Sequence, residues 1–185
     1  MNLSLLRQWL SWSQAETPPP SADNSEDDEG RVKPFDPEKR LCERDYIIID
    51  MLNSQGHDTV SFCVTDPHQE DNPVIYVSEG FLRLTGYDYD EVVGRNCRFL
   101  QGAETAPEDT QRISEAVKNE KECSVNLLNY KKDGTKFVNE FFLTNLRTPQ
   151  RDLAYFIGIQ VAVTNKGPGQ MTSNPGWVYT LGNHV

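Results

Sequence analysis

Gly94-Arg95-Asn96-Cys97-Arg98-Phe99-Leu100-Gln101 sets a cysteine between two arginines and between two carboxamides, Asn96 and Gln101, with the apolar pair Phe99-Leu100 following Arg98. A thiol in a polar, electropositive turn beside a hydrophobic wall is eased toward thiolate and invites an anion, whereas a cysteine buried only among apolar side chains is inert. The competing reading is a half-buried structural cysteine, since free Cys packs as a small hydrophobe. The surrounding sequence decides between them. Upstream stand Asp66-Pro67, Asp71-Asn72-Pro73 and Phe81-Leu82-Arg83-Leu84-Thr85-Gly86-Tyr87. Downstream stand Leu128-Asn129-Tyr130-Lys131-Lys132-Asp133-Gly134 and Tyr155-Phe156-Ile157-Gly158-Ile159-Gln160.

β-branched and aromatic residues cluster at 60 to 65, 73 to 77, 122 to 131, 135 to 147 and 153 to 164, which predicts five strands. Short helices are expected near 79 to 86, 90 to 93 and 97 to 101, and a longer one from about 107 to 120. Lys132-Asp133-Gly134-Thr135 reads as a type I′ hairpin turn, because Asp-Gly supplies positive φ angles. The result is an α+β domain with a five-stranded antiparallel sheet. Alternation along the strands puts Phe156, Gly158, Gln160 and Ala162 on one face with Asn139, Phe141, Leu143, Val125, Leu127 and Asn129. Ile157, Ile159, Val161 and Val163 fall on the other. Asn and Gln side chains buried on one concave face are costly without partners, which suggests a planar ligand with a polar edge. The second face is apolar and needs a cover.

The chain has 185 residues and a net charge of -10, enough for one domain with flanking arms. The acidic balance argues against nucleic acid or an anionic membrane as the main partner. Cys42, Cys63, Cys97 and Cys123 contain no C-x-x-C pair, so neither a zinc site nor a disulfide framework is expected. A reducing compartment, cytoplasmic or nuclear, fits best. No apolar run is long enough to span a bilayer, and Met1 to Gln14 lacks the features of a secretory signal. The expected organisation is an amphipathic helix over 1–15, an acidic Pro-rich linker over 16–36, a cap helix over 37–56 beginning near Pro37, a domain over 57–164, and an irregular tail over 165–185.

In sequence and order these motifs resemble the LOV (light-oxygen-voltage) photosensor domains, the flavin-binding blue-light branch of the PAS family, across residues 58 to 164. Several motifs in order weigh more than one. The resemblance implies a PAS/LOV fold in which the sheet and short helices enclose a flavin. Cys97 becomes the photoactive thiol, adding to flavin carbon C4a under blue light and releasing it in darkness. Asn129 and Asn139 resemble the carboxamides that read the ring's pyrimidine edge, and Gln160 the residue beside N5. Thr65, Asn72, Asn96 and Gln101 match polar positions around the ligand. Phe141, Leu143, Phe156 and Gly158, with Phe81 and Leu100, match apolar or close-approach positions, and an ordinary core role holds for each at the same time. The cofactor implied is FMN, with FAD and riboflavin as alternatives.

Arg98 is the expected phosphate ligand, since guanidinium grips phosphate by two points. Two positions depart from the family pattern. Many FMN-binding members carry a second phosphate arginine where this chain has Ser114; Arg112, two residues earlier and on a different helix face, is the second cofactor-binding candidate and would have to reach round to the phosphate. Cys63 stands where a branched aliphatic residue is common, reading either as small core or as a looser wall around the reactive thiol. The function expected is a reversible light switch that acts through its N-terminal flank, a homodimer interface or a partner protein. A PAS-type flavin redox or ligand sensor is the alternative. An enzyme is the weakest reading, because no dinucleotide-binding glycine motif or acid and base constellation accompanies the thiol.

Overall fold

A computed structural model of the chain describes residues 32–56, 60–164 and 167–169. The expectations for 1–15, for the linker up to residue 31 and for most of the tail lie outside them.

Helix α1 (Glu43–Met51) runs into a π turn at Leu52–Gly56, followed by β1 (Ser61–Thr65) and β2 (Val74–Val77). Helices α2 (Glu79–Thr85) and α3 (Tyr89–Val92), a 3₁₀ turn at Cys97–Leu100 and helix α4 (Pro107–Lys118) cross one face of the sheet's sequence before β3 (Cys123–Tyr130), β4 (Lys136–Arg147) and β5 (Leu153–Val163). The five strands lie in the order β2-β1-β5-β4-β3, and every neighbouring pair is antiparallel. This is the five-stranded antiparallel sheet of an α+β domain anticipated from the strand pattern, and the arrangement the LOV resemblance implies.

Local chemistry explains where the elements begin and end. Ser78 Oγ accepts from Phe81 N–H at 3.1 Å, capping α2, and donates to the Val60 carbonyl at 2.8 Å. A cap oxygen satisfies one of the orphan donors at a helix start. Gly80 follows because the α2 backbone presses on the chain entering β1: a Cβ there would lie 2.5 Å from the Val60 oxygen. Pro107 opens α4, with Glu108 and Asp109 in its first turn and Lys118 in its last, each suited to the helix dipole.

The β3–β4 hairpin corrects one expectation. Gly134 alone takes a positive φ, 84°, while Asp133 does not, and Gly134 N–H donates to the Lys131 carbonyl. Lys131 N–H in turn reaches Thr135 O. The loop is therefore the longer kind that ends in a left-handed glycine, not a two-residue I′ turn. Asp133 Oδ1 accepts from Thr135 N–H at 2.8 Å, an Asx contact that needs Asp133 in an ordinary conformation.

The start of the cap is the second correction: residues 37–42 are not helical, and α1 begins at Glu43. Their backbone donors are committed elsewhere. Lys39 N–H donates to Tyr155 Oη at 3.0 Å, and Cys42 N–H to the Arg147 carbonyl at 2.8 Å. Leu41 is thereby pulled down onto the sheet. Phe35, Leu41, Ile48, Ile49 and Leu52 pack against Phe62, Val64, Tyr76, Tyr155, Ile157 and Ile159 in one buried cluster. Asn53 fixes the strap by pairing with both backbone groups of Phe35. Asp45, buried beneath it, accepts from Arg147 N–H at 2.6 Å. The cover reaches Ile159 but stops short of Val161, which is 43% exposed.

Candidate functional site

The opposite face of the sheet meets the 3₁₀ turn and α4 across a narrow cleft. Its lining includes Asn96, Cys97, Arg98, Leu100 and Gln101 from the turn, Ile113 from α4, and Leu127, Asn129, Asn139, Phe141 and Gln160 from the last three strands. Register explains the strand contribution: Leu127 pairs with Asn139, and Phe141 with Gln160, so the inward side chains stack in rows. The turn is aimed by Asn96, whose Oδ1 accepts from Arg98 N–H at 3.0 Å while its Nδ2 donates to the Asp71 carbonyl at 2.6 Å.

Two carboxamides form the polar end. Asn139 Nδ2 donates to Asn129 Oδ1 at 2.9 Å, and Asn139 Oδ1 is buried with no partner among the described residues. An orphaned buried carbonyl costs about 1–3 kcal/mol, so a donor on a ligand edge fits it. Gln160, 3% exposed, accepts from Ser61 Oγ at 3.2 Å and points its amide nitrogen at Cys63 Sγ, 3.5 Å away.

Cys97 Sγ lies 3.4 Å from Cys63 Sγ. The hydrogen bond with Cys63, followed by burial and like charge, pushes the Cys97 thiol well up. The same bond, helped by Gln160 and working against burial, lowers Cys63. Cys97 therefore holds its proton at neutral pH. Gly158, opposite Cys63 on β5, leaves room for this contact: a Cβ on it would stand 2.8 Å from the Phe141 ring and 3.4 Å from Cys63 Sγ.

The donors, apolar walls and edge-reading amides suit a flavin ring. The cleft measures about 90 Å³, against roughly 300–1,000 Å³ for pockets that bury a small molecule.

Other expected site residues sit elsewhere. Arg98 forks onto Asp71, at 2.5 and 2.8 Å, with both side chains more than half exposed. Arg112 is turned away, its Nη2 donating to Ser124 O at 3.3 Å, and it is not in the cleft lining; Ser114 is exposed. Leu143 and Phe156 pack with Ala116 beneath α4. Asn72 and Phe156 line a separate, wider hollow of about 830 Å³. Asn72 Oδ1 is a second buried atom without a partner. Thr65 is buried at the end of β1, paired with Val74 and Phe156. Sequence reasoning passed over Asp71, Ser61 and Ile113. Only the β1–β5 register, Ser61 opposite Gln160, holds a signal for Ser61.

A family model described as PAS domain matches residues 59–165. The chain is 46% identical over 114 residues to blue-light-activated histidine kinase 1 of Erythrobacter litoralis, covering 62% of this chain and 32% of that protein. It is 45% identical over 113 residues to phototropin-2 of rice, covering 61% of this chain and 12% of that one. The chain thus spans a third or less of these relatives. The light-state structure of the Aureochrome1 LOV domain aligns at 46% identity with a TM-score of 0.56, covering 57% of this chain and 82% of that one.

Proposed function

Since the chain belongs to the LOV branch of the PAS domain family, we propose that it is a blue-light receptor whose reversible switch is a bond between Cys97 and a bound flavin. When bound, the flavin would supply a ring that absorbs blue light and a carbon, C4a, able to bond reversibly to the sulphur that Cys97 would hold against it. The chain's own residues do the rest. Leu100, Ile113, Leu127 and Phe141 exclude water from the ring faces. Asn129 and Asn139 hold its edge, and the unpartnered Asn139 Oδ1 is the observation that carries this reading. Cys97 brings sulphur and proton together, because burial and Cys63 keep it protonated. Gln160 is free to exchange one set of hydrogen bonds for another, since its present partners, Ser61 Oγ and Cys63 Sγ, are weak or long.

FMN is the flavin proposed, with Arg98 on its phosphate; FAD and riboflavin are the alternatives. Arg98 would leave Asp71, an exposed pair worth little, for a phosphate. Residues 57–164 form the sensor and 37–56 its cap, and output runs through that flank to a second copy or a partner protein. Tyr46 and Ile47 on α1, 42% and 57% exposed, support such a contact. The role is sensory and not catalytic. Four free cysteines support a reducing cytoplasmic or nuclear setting. Among the described residues no helix is long and apolar enough to cross a membrane. The Cys63–Cys97 contact favours a second reading, a flavin redox sensor in which light is incidental.

The test is an absorption spectrum of the purified holoprotein before and after blue light. It should be yellow, bleach, and recover in darkness, and Cys97→Ala should keep the colour without the reversible bleach. A variant that cycles like the parent would remove Cys97 from the chemistry.

A further inference from the structure

Cys63 and Cys97 come from distant parts of the chain, 34 residues apart, yet their sulphurs touch at 3.4 Å. A disulfide needs about 2.05 Å, so the sulphurs must approach by little more than an ångström. The two sides differ in compliance. Cys63 is fixed in the second strand of the sheet, paired with Val77 on one side and Gly158 on the other. Cys97 opens a single 3₁₀ turn and is only partly buried, so the approach falls to it. What a second sulphur adds is a nucleophile within reach of whatever becomes bonded to the Cys97 sulphur. Gln160 Nε2, directed at Cys63 Sγ, favours negative charge there.

We infer that Cys63 and Cys97 form a redox dithiol that, on a branch competing with dark release of the Cys97 sulphur, closes to a disulfide as two electrons pass to the flavin, an inference that rests on the flavin assigned to this cleft. Both S–H bonds break and one S–S bond forms. Two electrons and one proton go to the oxidised ring, and the second proton leaves to water. Cys63 attacks the Cys97 sulphur, in the manner of thiol exchange, with the ring as leaving group. The closed form has no thiol left for the light cycle until an external thiol reduces it. Cys42, ahead of α1, and Cys123, at the start of β3, take no part.

The holoprotein is irradiated with blue light without oxygen. Over prolonged irradiation two of its four thiols should disappear in a growing fraction of molecules, a non-reducing peptide map should contain a Cys63–Cys97 link, and in that fraction the ring should stay reduced until air is admitted. Cys63→Val should form no internal disulfide under the same treatment. In a second arm the dark holoprotein is treated with diamide, which oxidises neighbouring dithiols without light; the same linked peptide should form. A parent that bleaches yet keeps all its thiols overturns the inference, as does failure of diamide to link the pair. A parent that never bleaches but links under diamide overturns the flavin as electron acceptor together with the light reading, and so separates that failure from a failure of the dithiol.

Discussion

Asn139 Nδ2 donates to Asn129 Oδ1 across the β3–β4 pair, which leaves Asn139 Oδ1 buried and unpartnered beside the cleft. On the proposed reading, this free acceptor takes a donor from the edge of the ligand. Folding hides a carbonyl that water would otherwise satisfy, and the cost is recovered only when a donor arrives.

This separates stability from binding. Asn139→Leu should weaken flavin binding but leave the stability of the flavin-free protein nearly unchanged, because it removes one orphaned carbonyl, Asn139 Oδ1, and creates another, Asn129 Oδ1, each costing about 1–3 kcal/mol. Changing both residues to Leu removes both orphans and should raise stability above the single variant while flavin binding stays lost. Urea midpoints of the flavin-free proteins and flavin dissociation constants check it. A double variant no more stable than the single one would show that the pair is structural.

A second expectation concerns acid. Lys39 Nζ lies 2.5 Å from Asp66 Oδ1 and 4.5 Å from the Tyr155 ring centre, pinning the strap of residues 32–42 to the end of β1. Burial pushes the Asp66 carboxyl up, but Lys39, the His68 N–H and Gln69 more than offset it, so Asp66 sits below its ordinary range. A depressed carboxylate stabilises fully above its unfolded pKa, about 3.9, and that contribution is lost as pH falls through the lower folded value. Hydrogen exchange should show the strap loosening below about pH 4, ahead of the strands, and Asp66→Asn should remove this local pH dependence. A strap whose protection falls identically in parent and variant would refute it.

Much of this was legible in the sequence where one local pattern dictated the outcome. The five strands, the long helix after Pro107 and the rows containing Asn129, Asn139, Phe141 and Gln160 follow from alternation and turn residues. What escaped depended on partners far along the chain. Pro37 marks a favourable helix start, but Lys39 and Cys42 give their N–H groups to Tyr155 and to the Arg147 carbonyl, so tertiary bonds delay the helix to Glu43. Arg98 reads as a phosphate ligand, and nothing local reveals that Asp71 and Asn72, at positive φ of 64° and 49°, turn the Asp71 carboxylate onto it. Cys63 was visible as an odd residue; its contact with Cys97 was not.

Ser114 supplies a third prediction. Arg112 is engaged with the Ser124 carbonyl and Ser114 is exposed on α4, so Arg98 alone is the expected phosphate contact. Ser114→Arg should tighten FMN relative to riboflavin by a charge-assisted hydrogen bond worth about 1.5–3 kcal/mol. Dissociation constants for both flavins decide it, and an equal effect on both would mean that the new side chain does not reach the phosphate.

The last prediction follows the signal outward. Gln160 faces the cleft, while its neighbour Ile159 faces Phe62 and the cover formed by Leu41, Ile48, Ile49 and Leu52. Ser61, bonded to Gln160, lies directly opposite it on β1, next to Phe62, so one side-chain rearrangement touches two of the strands that carry the cover. A hydrogen-bond exchange at Gln160 is worth about 0.5–1.5 kcal/mol, whereas near-complete inversion of a two-state equilibrium takes roughly 5.5 kcal/mol. Light should therefore loosen the cover in part, or strongly only where self-association concentrates the effect. Hydrogen exchange in dark and light should show reduced protection at residues 32–56, with a shift in elution volume on size exclusion. Gln160→Leu should bleach normally and show a blunted change in both, since Leu keeps the packing and removes the exchange. Unchanged protection of the cover in the illuminated parent would exclude this route from the cleft to the outer face.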